Sequence, residues 1–304
     1  AAVLYNKTEG AVQVLAVNTL GVLYIVENGE SVQSLADLKG KTVVAAGKGS
    51  TPEYALRYLL SENGIDPDAD VTLDWKSEHS ECVAALASGQ ASIALLPQPF
   101  VTVAQSKIDG LRMAFDLTEE WDKLDNGSAL ITGVIVARSD FVEAPPAAVG
   151  SFLSAYAASV DWVNANTADA AALIGEYGIV DAAVAEKALP YCNIVCITGA
   201  ELLEKLPGYL SVLYNADPAA VGGAIDAPAV LDALGLAGNV QTAQLMSLIL
   251  TRDARGALAL LGRLYDGGKD IGAVLGELST LVRDLLLRKT APQGCAALLS
   301  GSFD

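Results

Sequence analysis

Thr42-Val43-Val44-Ala45-Ala46-Gly47-Lys48-Gly49-Ser50-Thr51-Pro52-Glu53 opens as a strand and closes as a helix. Five small or β-branched residues in a row read as a strand buried on both faces. Glycines then carry the chain out of it. Thr51 stands where an N-cap belongs, Pro52 at the first helical position and Glu53 in the first turn. Ala55, Leu56, Leu59 and Leu60 continue at helical spacing through residue 60. Such a turn offers free backbone N–H groups and the positive end of a helix dipole, which suits a carboxylate, sulfonate or phosphate. Taken alone, a capped helix start that binds nothing is the plainer reading.

Working outward, residues 12–19, 21–27, 71–75 and 92–96 read as strands, and residues 111–117 and 129–137 complete the set. Residues 31–39 read as a short helix and turn, and 81–87 as a helix. Strands alternating with helices give an α/β fold around a mostly parallel sheet. From residue 144 to about 220 the strands are expected to stop, with helices at 147–164, 167–177, 180–188 and 200–213. From residue 227 the pattern is all helix. Ile271, Val274, Leu275, Leu278, Val282 and Leu285 keep helical spacing, Asp253 caps one helix and Gly267-Gly268 stops it.

A second segment, Leu95-Leu96-Pro97-Gln98-Pro99-Phe100, lies at the carboxyl end of a strand, the edge where open α/β sheets hold ligands. Gln98 can offer amide hydrogen bonds; read alone, the segment is a turn bounded by prolines. Gly40-Lys41-Thr42 imitates the end of a phosphate-binding loop, but position 35 is leucine and the strand follows the motif instead of preceding it, so nucleotide hydrolysis is rejected.

Composition narrows the rest. The chain has 304 residues, 52% hydrophobic and 18% charged, enough to bury a large core. Its longest apolar runs, residues 21–26 and 91–103, fall short of the ~20 residues a membrane span needs, so it reads as soluble. The net charge of −17 argues against a nucleic-acid partner. That charge is uneven: residues 1–223 carry 12 Lys/Arg and 28 Asp/Glu, residues 224–304 carry 7 and 8, which suggests two units. Four cysteines (Cys82, Cys192, Cys196, Cys295) are too few for a disulfide framework, and Cys192 and Cys196 lack a nearby histidine, so they read as buried, inert thiols. His79 and Cys82 are three apart, but no oxyanion or orienting group is implied beside them. Catalytic residues, metal ligands and cofactors are all expected to be absent.

Leu35-Ala36-Asp37-Leu38-Lys39-Gly40-Lys41-Thr42, then Gly49-Ser50-Thr51-Pro52, then Leu96-Pro97-Gln98-Pro99-Phe100, then Gly208-Tyr209-Leu210 occur in an order that resembles the nitrate/sulfonate/taurine-type solute-binding proteins of ABC importers. The resemblance covers about residues 1–223. It implies a two-lobed periplasmic-binding (type 2) fold lacking its first strands, with residues 1–28 and 127–223 in the first lobe, 31–125 in the second, and hinges near Asn28 and Asn126. It implies a small polar or anionic solute held between Asn18, Thr19 and Leu20 on one side and Gly49, Ser50, Thr51, Pro52, Pro97, Gln98 and Pro99 on the other. The implied partner is an ABC permease, and the implied location extracytoplasmic, as a periplasmic protein or membrane-anchored lipoprotein.

Residues 227–235, 250–255, 260–267, 285–292 and 299–304 resemble the helical collar domain of bacterial DNA polymerase III subunit gamma/tau. This resemblance implies, for residues 224–304, clamp-loader subunits as partners and a cytoplasmic location if that segment governs. The pairing implies a fusion or junction near residues 222–226, with no ATPase module and no direct nucleic-acid contact.

Overall fold

The computed structural model describes residues 1–143, 146–223, 245–266 and 271–290. After a short helix α1 (Ala2–Lys7), β1 (Val12–Leu20) enters a three-stranded sheet, while β2 (Leu23–Asn28) belongs to a second, five-stranded one. That second sheet also contains β3 (Thr42–Ala46), β4 (Thr72–Lys76), β5 (Ile93–Pro97) and β6 (Leu111–Asp116), in the order β4-β3-β5-β2-β6. β3 pairs in parallel with β4 and β5, and β2 runs antiparallel between β5 and β6. β7 (Ile131–Arg138) and β8 (Ile194–Ile197) flank β1, both antiparallel to it.

Burial explains the five-stranded sheet. Alternate residues of its central strands feed two apolar layers. Val43, Ala45, Ile93 and Leu95 face α2 (Thr51–Glu62), whose Ala55, Leu56, Leu59 and Leu60 are buried against them. Val44, Ala46, Ala94 and Leu96 face α3 (His79–Ala87) and α4 (Phe100–Lys107). The α2 layer continues into the three-stranded sheet through Val14, Val17, Leu130 and Ile197.

The chain crosses between sheets twice. The first crossing lies at Gly21-Val22, not at Asn28, because β2 completes five registered pairs with β5 and cannot remain on the 1–28 side. The second runs through residues 123–130, after α5 (Leu117–Asp122). The crossings touch: a β-carbon on Gly21 would stand 2.2 Å from Thr118 Oγ1 and 2.7 Å from Leu130 Cδ2. Gly21→Ala is therefore expected to destabilise by about 1–3 kcal/mol, as overpacking does. A urea midpoint unchanged by the substitution would show that the crossings do not meet.

After β7 come α6 (Ser139–Glu143), α7 (Pro146–Ala165), α8 (Thr167–Glu176) and α9 (Ala182–Ala188), then β8 and α10 (Gly199–Ala216). β8 corrects the expectation that strands stop at residue 144. Ile194-Val195-Cys196-Ile197 is four residues of β-formers held beside β1, and Asn193 steers them there. Asn193 takes a positive φ of 45° and donates its amide to Gly21 O at 2.5 Å. α10 runs on through Pro207, and Gly208 lets it close against Ser128 of the second crossing, where a β-carbon would lie 2.6 Å from Ser128 Cβ.

In the tail, residues 245–250 are helical, followed by α11 (Ala254–Asp266) and α12 (Ile271–Thr290). Asp253 caps α11, accepting from Gly256 N at 2.9 Å. Leu245, Met246, Leu260, Val274, Leu278 and Leu281 form a separate core. Leu275, Val282 and Leu285 keep helical spacing but are exposed. Gly267-Gly268, residues 227–235, 299–304 and Cys295 lie outside the described residues. Among the described residues no helix is long and apolar enough to cross a membrane.

Candidate functional site

Strand direction places the site. From β3 the chain leaves through α2 on one face of the sheet; from the adjacent β5 it leaves through α4 on the other. Neighbouring strands whose helices depart to opposite faces open a crevice beyond their carboxyl ends. The Val44–Ala94 register sets Gly47 beside Pro97 at that edge. β2 reaches the same edge from the opposite direction, Leu23 pairing with Pro97 and Gln98 N donating to Val22 O at 3.0 Å. Two of the expected segments, 49–52 and 97–99, thus meet at one edge of the five-stranded sheet, and the first crossing, which follows residues 18–20, is bonded to the second of them.

Their local roles differ. Ser50, not Thr51, is the N-cap of α2, so Thr51 and Pro52 occupy its first two positions. Ser50 does not cap with its side chain: its hydroxyl turns back to Gly47 O at 2.6 Å. Gly49 N donates to the Glu53 carboxylate at 2.6 Å, so one of the turn's amides is already met by the helix's own first-turn acid. Among the described residues no acceptor faces the N–H of Lys48 or Thr51. Lys48, Gly49 and Ser50 are exposed and Thr51 half-buried. The turn is open.

Asn18 and Thr19 lie against β7, where a β-carbon on Gly133 would stand 2.3 Å from Asn18 Oδ1 and 3.1 Å from Thr19 Oγ1. Thr19 Oγ1 donates to Asn18 Oδ1 at 3.3 Å. Leu20 N donates to Asn193 O at 3.1 Å, and its side chain packs on the main core. Pro97 ends β5, Pro99 precedes α4 as its cap after a cis Gln98–Pro99 bond, and Gln98 is buried between them.

Sequence reasoning missed how α10 reaches this region. Tyr209 is buried, which pushes its hydroxyl up to about 12 and keeps it a donor, and it reaches Thr51 Oγ1 at 3.4 Å. Tyr54 donates to Asp217 Oδ2 at 3.0 Å. These pairs lie more than 150 residues apart in sequence, and no local pattern announces them. Beyond α2, a groove of about 1450 Å³ opens between the helix, β4 and the end of α10, lined by Lys48, Tyr54, Tyr58, Trp75 and Ser211 among others. Of the expected residues only Gly49 borders it.

The catalytic candidates separate from this edge chemically. Cys82 is buried, its thiol is pushed up to about 11, and its sulfur faces Glu78 O at 3.8 Å. His79 is held below its usual pKa by burial, neutral at pH 7, with its ring 5.3 Å from that of Phe100. Cys192 and Cys196 are half-buried free thiols, more open than expected. Among the described residues no group of His, Cys, Asp or Glu stands where it could hold a metal ion.

Residues 1–186 match the family of ABC-transporter, phosphonate, periplasmic substrate-binding proteins, and residues 225–301 match domain III of DNA polymerase III subunits gamma and tau. Both resemblances read from the sequence are borne out. A binding protein of Brucella abortus (strain 2308) is 26% identical over 180 residues, 59% of this chain and 54% of that one. The chain spans about half the length of the curated relatives it matches. An ABC transporter structure from Parabacteroides distasonis aligns with a TM-score of 0.61 at 25% identity, covering 74% of this chain and 75% of that one. The periplasmic aliphatic sulphonate binding protein SsuA from Escherichia coli aligns with a TM-score of 0.57 at 17% identity, covering 72% and 74%, and shares the fold.

Proposed function

The chain belongs to the ABC-transporter periplasmic substrate-binding family of the phosphonate type, and on that premise we propose that it captures a small polar or anionic organic solute for an ABC importer, without catalysis. The observation that carries this reading is the crevice between β3 and β5, with the open amides of Lys48 and Thr51 on one wall and the 97–99 turn on the other. Helix N-termini favour anions because unpaired N–H groups and the dipole act together. Glu53 sets a condition: an incoming anion must sit beside that carboxylate or displace it from Gly49 N. The permease at the membrane surface is the partner this function requires, and an extracytoplasmic location follows from it.

Thermal unfolding with methylphosphonate, ethanesulfonate or taurine tests the reading. A ligand at 100 times its Kd adds about 2.7 kcal/mol to stability. At about 2–4 °C per kcal/mol for a domain of this size, that is a shift of several degrees. No shift from any member of such a panel overturns the anionic-solute reading.

The tail carries a second reading, supported by its match to the gamma and tau domain and by the exposed apolar row Leu275, Val282 and Leu285. We propose residues 224–304 as a helical assembly module joined to the solute-binding unit.

A further inference from the structure

The two helices that leave the crevice each meet a helix of the three-stranded unit: α2 meets α10, and α4 meets α9. The two meetings differ in kind. On the α2 side one apolar core runs through both sheets, with Leu56, Leu59 and Trp121 joined to Leu130, Leu206 and Tyr209 in a single cluster. Parting those helices would bring core side chains into water, which apolar burial opposes. On the α4 side the core stops at the boundary. Leu96, Val101 and Ala104 belong to a cluster confined to the five-stranded unit, whereas Ala185 and Leu189 belong to another, with Ala170 and Ala171 of α8. No buried residue is common to both. The α4–α9 contact is therefore a seam between two finished cores, and it can part without unmaking either.

A tyrosine bridges it. Tyr24 on β2 is 2% exposed and belongs to the α4-side cluster, yet its hydroxyl donates to Tyr191 O at 2.7 Å, 167 residues away. A carbonyl can only accept, which fixes the direction, and burial pushes the Tyr24 hydroxyl above its usual range, which keeps it a donor. The two rings meet edge to face, centroids 6.4 Å apart. Tyr191 stands on the turn that leads from α9 to β8, and that turn is moored beside the first crossing: Asn193 donates to Gly21 O and accepts from Leu20 N.

We infer that the crevice opens along the α4–α9 seam while the α2–α10 side stays joined, and that Tyr24 is the positioning residue that latches the seam over a bound solute. This rests on the solute-binding reading above and deepens it. Tyr24 governs how long the solute stays, not which groups hold it.

Cys192, next to the acceptor, reports on the seam. It is a half-buried free thiol, pushed up by burial, so opening exposes it and speeds its alkylation. Cys82, inside the α4-side core, and Cys196, on β8, are controls within the same chain. Alkylation of the full chain by iodoacetamide, mapped by mass spectrometry, is expected to slow at Cys192 when ethanesulfonate is added. In Tyr24→Phe it should quicken severalfold at Cys192 alone. Stopped-flow dissociation of ethanesulfonate from Tyr24→Phe should quicken about 3- to 10-fold, the scale of one neutral hydrogen bond, with association unchanged. Tyr54→Phe, which removes the bond to Asp217 on the joined side, should change neither rate. If Tyr24→Phe lowers only the melting temperature, or if Tyr54→Phe acts as strongly, the latch falls while solute binding stands. A matching rise at Cys82 would mean that the fold and not the seam has loosened, and overturns the latch too. If the unsubstituted chain binds neither ethanesulfonate nor methylphosphonate, the solute-binding reading falls and takes the latch with it.

Discussion

Trp121→Ala is expected to lower stability by about 3–5 kcal/mol. Trp121 is 1% exposed and sits where four segments meet. Its ring lies 4.8 Å from that of Tyr58 on α2 and 5.8 Å from that of Tyr209 on α10. Its Nε1 donates to Ser128 Oγ at 3.0 Å, and Ser128 in turn donates to Asn126 Oδ1 at 2.7 Å within the second crossing. Truncation to alanine removes the ring both tyrosines rest on and leaves a cavity at the junction of the two sheets. Trp121→Phe should cost less, since most of the aromatic contact survives and chiefly the N–H bond is lost, worth about 1 kcal/mol. Urea unfolding of both variants reads the difference. A loss below about 1 kcal/mol for the alanine variant would mean that the sheets do not lean on this residue.

Gly47→Val is expected to remove solute binding and to cost about 2–4 kcal/mol of stability at once. Gly47 has φ near +90°, a conformation that a β-branched residue enters only with strain. A β-carbon there would lie 2.9 Å from Pro52 Cγ and 3.0 Å from Ser50 Oγ, so the added side chain strikes the start of α2 itself. The turn would have to reshape, taking the Lys48 and Thr51 amides with it. Gly47→Ala should show the same two effects at roughly half the energetic cost. Binding retained at full affinity in a destabilised Gly47→Val protein would separate the turn from the site.

Much of the fold was legible because its strands are apolar and regular. Residues 43–46 and 93–96 are buried runs, and the helix over Thr51–Glu62 buries the four residues its spacing named. What escaped was set by distant partners. Residues 23–28 look alike whichever sheet claims them, and only pairing with Pro97 and Asp116 decides. Ile194–Ile197 is too short to stand out among helices and exists as a strand because β1 lies beside it. At the site, glycine, proline and serine marked the turns, but not the hydroxyl of Ser50 folding back or the Glu53 carboxylate on Gly49. Of these, the contact of Glu53 with Gly49, four residues apart at a helix start, had a local signal.

The pairing of β1 has a consequence for how the chain is made. Both of its hydrogen-bonded neighbours are synthesised later, β7 beginning at Ile131 and β8 at Ile194. At roughly 5–20 residues per second, β1 waits on the order of 6–22 s for the first and 9–35 s for the second. Until β7 emerges β1 has two bare edges, and until β8 emerges it has one, the state most prone to pair with another nascent chain. The five-stranded sheet, finished at Asp116, is complete before either partner emerges and shelters only one end of that strand.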